Sequence, residues 1–350
     1  MHMSDALISP VVGAVMWAGA AGVAAYSVRK ISKEDLIEGK KVPLMGVMGA
    51  FVFAAQMLNF TIPGTGSSGH IGGGLMLAAM LGPQAAFLTL IAILGIQSLF
   101  FADGGLLALG ANIINMGLFS CFLAYPLIFK PLVGKRATPG RIVSASVLAS
   151  VVGLQLGAFG VVLETLLSGK TELPFGAFVL LMQPIHLAIG IGEGLITAAV
   201  LVFLNSMEPQ SVAALQPQAA SPTAGFPKRA IAAVAALAVL CGGVLSWFAS
   251  THPDGLEWSI LNVTGSAELE APKGLHETLA DVQSKTAFMP DYAPITPEDA
   301  TAGEVEATNW PAVDAGTSVA GIVGSAITLA LAGVVGLLLY LPKRRKTRSV

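Results

Sequence analysis

His70-Ile-Gly-Gly-Gly-Leu-Met-Leu-Ala-Ala-Met-Leu81, closed by Gly82-Pro83, decides the topology of this chain. The run is apolar but short, and a bilayer core takes about 20 residues of helix. A piece this short stays in a membrane where other protein surrounds it. Longer apolar runs flank it at 7–28, 43–61, 84–102, 105–129, 141–167, 176–205, 229–249 and 319–341. Counting 70–81 as a ninth, partial crossing fixes the side of every later loop, and omitting it inverts them all.

The charges choose between these options. With the N-terminus outside, the cytoplasmic loops and tail hold sixteen of the nineteen Lys and Arg residues. Lys170, Lys273 and Lys285 alone fall outside. Positive charge gathers on the cytoplasmic side of membrane proteins, so this orientation is expected and 70–81 counts as a crossing. The region before the first span carries Asp5 and no Lys or Arg, which argues against a cleaved signal peptide.

Composition agrees. Hydrophobic residues make up 54% and charged residues 11%, against about 25% charged in a soluble domain. A net charge of −2 leaves no broad basic surface for nucleic acid. Cys121 and Cys241 sit in apolar runs and read as packed thiols. The expected fold is all-α and polytopic: seven helices in 1–206, a Pro/Gln/Ala/Ser-rich cytoplasmic linker over 207–227, and two helices in 228–350. An outside segment, 250–318, separates those two helices. It carries twelve acidic residues and two lysines, and its Pro-rich tail half reads as loosely structured.

Two histidines carry the chemistry. His2 can chelate a metal through the Met1 amine, its own deprotonated amide and its imidazole. Position alone favours an incidental His at a frayed terminus. His70 shifts that balance, because its polar Gly-rich loop, Asn59 to His70, falls on the same outer face and can supply a fourth nitrogen. A planar nitrogen set points to Ni(II) or Cu(II). Asn59, Ser67 and Ser68 could orient the imidazoles.

Other residues carry two readings each. Asp103 reads as a helix N-cap or as a pocket residue. Asn112 and Asn115 share a helix face and read as interhelical hydrogen bonds or as pocket lining. His186 and Glu193 lie two turns apart inside a span, next to Gly190 and Gly194. Intramembrane ionisable residues are functional candidates, and a structural network is the alternative. His252 reads as a turn residue, and His276 has no role.

Enzymatic readings fail. Gly64-Thr-Gly66-Ser-Ser-Gly69 matches a dinucleotide fingerprint but follows a membrane helix, and no acid occurs in 83–93. Gly169-Lys170-Thr171 lacks the first P-loop glycine, because Glu164 stands there. No HExxH is present for an intramembrane metalloprotease. A proton-coupled carrier using His186 and Glu193 and a purely structural subunit remain as rivals.

The start Met-His-Met-Ser-Asp-Ala-Leu-Ile-Ser-Pro10, the loop Pro63–Pro83 with Ser68-Gly69-His70, Gly110–Gly117 and His186–Thr197 resemble the CbiM/NikM family. Residues 229–350, with Pro253-Asp-Gly-Leu-Glu257, look like the NikN-type partner, here fused. The resemblance implies the capture component of an energy-coupling-factor (ECF) transporter for nickel or cobalt. It implies Met1, His2 and His70 as ligands, no permanent cofactor, and the plasma (inner) membrane of a prokaryote. It also implies separate cytoplasmic ATPase subunits and a transmembrane coupling subunit. Ser4 and Ala6 depart from the Pro and Gly common at those positions.

Overall fold

The structure, a computed structural model, describes residues 2–34, 41–134, 137–207, 228–293 and 310–347. Most of the linker and the stretch 294–309, within the Pro-rich tail, lie outside the described residues. A chain this apolar satisfies its backbone inside helices, since lipid offers no hydrogen-bond partners. The helices are α1 (Pro10–Glu34), α2 (Lys41–Gln56), α3 (Gly74–Leu81), α4 (Pro83–Phe100), α5 (Leu109–Val133), α6 (Pro139–Leu167) and α7 (Phe175–Met207). The C-terminal part adds α8 (Lys228–Gly243), α9 (Gly255–Thr264), α10 (Leu275–Thr286) and α11 (Ala315–Thr347). Among the described residues, six helices are long and apolar enough to span a membrane: α1, α4, α5, α6, α7 and α11. The apolar helices α2 and α8 are shorter.

The deciding stretch is a short buried helix. All eight residues of α3 are buried, and α2, α4, α5, α6 and α7 surround it. Gly82 (φ 82°) turns the chain, and Pro83 opens α4 at a position whose N–H no helix needs.

Several boundaries differ from the expected spans. The first span begins at Pro10 rather than 7, because Asp5–Leu7 forms a separate tight turn. The second ends at Gln56 rather than 61. Its last residues enter an antiparallel hairpin, β1 (Phe60–Ile62) and β2 (Ser67–Gly69), the exception to an all-α fold. The span expected from 105 starts at Leu109, since Gly104 (φ 81°) and Gly105 accommodate the N-terminal segment instead. The span expected to reach 249 ends at Gly243 and is followed by a turn, Leu245–Phe248. Within α5, Ile114–Phe129 winds wider than an α-helix and contains Pro126, which lacks a ladder donor.

Small residues set the close crossings. A Cβ on Gly190 would stand 2.9 Å from Val151 Cα, and one on Gly194 would stand 3.0 Å from Val147 N. The GxxxG pair thus lets α7 lie against the backbone of α6. Gly242 and Gly321 do the same for α8 and α11. Helix α11 packs on α2, with Ser325 Oγ donating to Ala50 O at 3.2 Å, so the C-terminal helices join the main bundle.

Candidate metal centre

The N-terminal segment is threaded into the bundle. Met3, Leu7 and Ile8 are fully or nearly fully buried. Burying three such side chains contributes about 5–9 kcal/mol. Fixing roughly seven residues of backbone costs about 7–14 kcal/mol. Burial alone therefore does not hold the segment, and hydrogen bonds at about 0.5–1.5 kcal/mol each close the gap. Asn112 Oδ1 accepts from Met3 N (2.8 Å), and Asn112 Nδ2 donates to Met3 O (3.1 Å). Gly105 N also donates to Met3 O (2.9 Å). Ala108 N donates to Asp5 Oδ1 (2.9 Å). His276 Nε2 donates to Ile8 O (2.9 Å), and Ser9 N donates to Ser168 Oγ (2.9 Å).

The hairpin delivers His70 to the same end of the bundle. After it, Gly72 N and Gly73 N donate to the two carboxylate oxygens of Glu193 on α7, at 3.0 and 3.1 Å. Gln56 Nε2 donates to Gly72 O (2.9 Å). Above the hairpin sits Pro253-Asp254-Gly255-Leu256-Glu257, and each residue there has a physical reason. Pro253 O accepts from Ser68 N (2.8 Å). Asp254 and Glu257 form a capping box that starts α9. A Cβ on Gly255 would stand 2.8 Å from Ile189 Cδ1 and 3.2 Å from His186 Cε1, so a larger residue would have to push these side chains aside. Leu256 is buried. Trp258 Nε1 donates to Thr65 O (2.9 Å), pinning the hairpin turn.

These two supports bring the imidazoles of His2 and His70 side by side. Their centroids lie 5.1 Å apart with 12° between planes. His70 Nδ1 faces Ile71 O at 3.1 Å, and a carbonyl only accepts, so Nδ1 carries the proton and Nε2 the lone pair. His2 Nδ1 faces Asp103 Oδ1 at 3.1 Å. Burial pushes His70 down to about 3 and pushes His2 below the usual imidazole range. Both rings are therefore neutral at neutral pH, the form that binds metal. Among the described residues, no three His, Cys, Asp or Glu side chains gather as a metal site. A metal held by these two imidazoles therefore completes its coordination with donors other than a third such side chain.

The structure places the remaining expected residues as follows. Met1 lies outside the described residues. Asp103 caps no helix, because α5 starts at Leu109; it contacts His2 and accepts from Tyr292 Oη at 2.6 Å. Asn112 anchors the Met3 backbone rather than another helix. Asn115 Nδ2 donates to Glu164 Oε2 (2.8 Å), an α5–α6 link of the expected kind. Ser67 and Ser68 do not orient an imidazole: Ser67 Oγ donates to Ser68 O, and Ser68 Oγ donates to His252 O (2.8 Å). Asn59 O accepts from Ser250 N (2.7 Å), and Asn59 lines a groove whose walls do not include His70. His186 Nδ1 donates to Met182 O (2.8 Å), and its ring shares a small cavity with His70, Met116 and Asp254. His276, expected to have no role, is buried and holds Ile8. Sequence reading missed Tyr292, His276, Gln56 and Gln97, whose Nε2 donates to Gln56 Oε1 at 2.9 Å. Capping-box spacing, Asp254 with Glu257, was the one local signal available in the outside segment.

Fold and site together define a polytopic helical membrane protein with paired neutral histidines at one end of its bundle. The family model described as "Cobalt uptake substrate-specific transmembrane region" (CbiM) matches residues 2–211, and the chain belongs to that family. The PDGLE domain model matches residues 228–341. The fused nickel transport protein NikMN of Rhodobacter capsulatus is 31% identical over 336 residues, covering 87% of this chain and 92% of that protein. The cobalt transport protein CbiM of Geobacter sulfurreducens is 29% identical, covering 70% of this chain and 71% of that protein. A crystal structure of a truncated transition metal transporter is 31% identical with a TM-score of 0.52, covering 59% of this chain and 99% of that one.

Proposed function

We propose that this chain captures Ni(II) from the extracytoplasmic side and delivers it to partner subunits for ATP-driven uptake. The ligands are the Met1 amine, the His2 amide and imidazole, and the His70 imidazole, arranged in a plane. The observation that carries this reading is the pair of adjacent, neutral imidazoles. The matched relatives are named for nickel and cobalt transport, and Co(II) on the same ligands is the alternative substrate.

The chain sits in the inner membrane of a prokaryote, with its N-terminus outside and C-terminus in the cytoplasm. Residues 1–206 capture the metal, 207–227 link, and 228–350 form the NikN-like part. ATPase and coupling subunits are separate chains. Segment 250–318 shapes the pocket through Pro253, Gly255 and Trp258. Glu193 is an anchor for the loop after His70, since both its oxygens accept backbone N–H groups. That geometry argues against its shuttling protons in a secondary carrier.

Nickel uptake by cells carrying the chain and its partner subunits tests the role. His70→Ala should abolish uptake, and the double variant His186→Gln with Glu193→Gln should still bind nickel. Full uptake by His70→Ala would contradict the assignment.

A further inference from the structure

The N-terminal chelate sets a demand on His2. A ring closed through the His2 amide contains six atoms, counting the metal, when Nδ1 is the donor. Nε2 points away from the backbone and closes no comparable ring. Yet Nδ1 already faces Asp103 Oδ1 at 3.1 Å, and Asp103 Oδ2 accepts from Tyr292 Oη at 2.6 Å. Asp103 and the metal therefore compete for one nitrogen.

Tyr292 belongs to the C-terminal part, 189 residues from Asp103 in sequence. Its ring stacks on Phe101 with centroids 5.0 Å apart. Met289 N donates to Phe100 O (3.3 Å), and Asp291 N donates to Phe101 O (2.9 Å). Gln283 Nε2 on α10 donates to Ser98 O and Gly104 O, both at 2.8 Å. The segment after α10 is thus fastened along the 98–104 turn that carries Asp103.

The backbone there is strained. Among the described residues, three non-glycine positions have positive φ: Ala102 (55°), Asp291 (51°) and Tyr292 (61°). All three flank the Tyr292–Asp103 hydrogen bond. Left-handed backbone in ordinary residues persists where surrounding contacts hold it, and such strain gathers at sites that switch. Removing the contact that holds Tyr292 lets these residues relax.

We propose that Tyr292 and Asp103 form a latch on His2 in the metal-free chain, released when nickel takes Nδ1. Both are positioning residues, since neither is a metal ligand. Before loading, the latch holds the imidazole beside His70. On loading, Asp103 loses its imidazole partner, Tyr292 loses its aligned acceptor, and 286–293 loosens from the 98–104 turn. The C-terminal part thereby senses whether the site is filled. This inference rests on the N-terminal chelate of the proposed function.

Amide hydrogen exchange of the full-length chain in detergent, with and without NiCl2, tests the latch. In the wild type, amides of 286–293, including Met289 and Asp291, should exchange at least threefold faster with nickel. Tyr292→Phe should exchange at the faster rate without metal and still bind one nickel. Slower or unchanged exchange on loading would overturn the latch, because Asp103 would then brace a loaded His2. His2→Ala separates the two readings. Nickel retained in that variant sinks the chelate itself, whereas nickel lost in it, with unchanged exchange in the wild type, sinks the latch alone.

Discussion

A buried imidazole is useful to a metal and costly to protonate. His70 is pushed down to about 3 by burial, and burial also lowers His2. Released from the bundle, each returns to an ordinary imidazole near 6.5. Below that pH the released form binds more protons than the docked form, so docking weakens as pH falls. The loss spans the window from about 6.5 down to the docked values and reaches up to about 1.4 kcal/mol per pH unit for each ring. In the metal-free chain, protection of the amides in residues 2–8, taken relative to their intrinsic exchange rate at each pH, should fall from pH 7 to pH 5. Equal protection at both values would mean the rings are not buried as described. His2 and His70 were legible in the sequence because position two is chemically special and the crossing count put both on one face. Asp103 was legible as a polar residue, but its partner was not. Nothing local in Pro290-Asp-Tyr292 points to His2, since only the tertiary fold brings them together.

Helices were legible as apolar runs, and their ends were less so. The GxxxG pair of α7 was readable, and its partner on α6 is now Val147 and Val151. Gly194→Leu would drive a side chain into the backbone of α6. Overpacking of this sort costs roughly 1–3 kcal/mol, so the variant should melt several degrees lower in detergent. An unchanged melting temperature would mean that α6 and α7 do not cross this closely. The hairpin Phe60–Gly69 escaped sequence reading because its strands are three residues each and embedded in a Gly-rich loop. Its pairing is stabilised from outside, by Pro253 and Trp258, rather than by strand propensity. The start of α5 was misplaced for a related reason. Gly105 was read as the start of a span, but the N-terminal segment crosses there and takes the Gly105 amide.

At the scale of the whole molecule, the two segments that carry His2 and His70 are both held by the C-terminal part. His276 holds Ile8, Tyr292 holds Asp103, and Pro253 holds Ser68. Replacing 250–318 with a short linker should cut nickel uptake severely, and full uptake would discard any role for it in shaping the site. The fusion was visible in sequence through its linker composition and the PDGLE residues. The means of contact was not, because it runs through the backbone carbonyls of Ile8 and Pro253 and through one side-chain pair, Tyr292 with Asp103, that only the tertiary fold brings together. The central claim is that the N-terminus is the metal's binding site. Metal content and visible absorption of the purified chain, grown with nickel and cobalt together, test it most directly when compared with His2→Ala. One equivalent of nickel with a weak d–d band, lost in the variant, is the expected result, and metal retained in full without His2 would contradict the account.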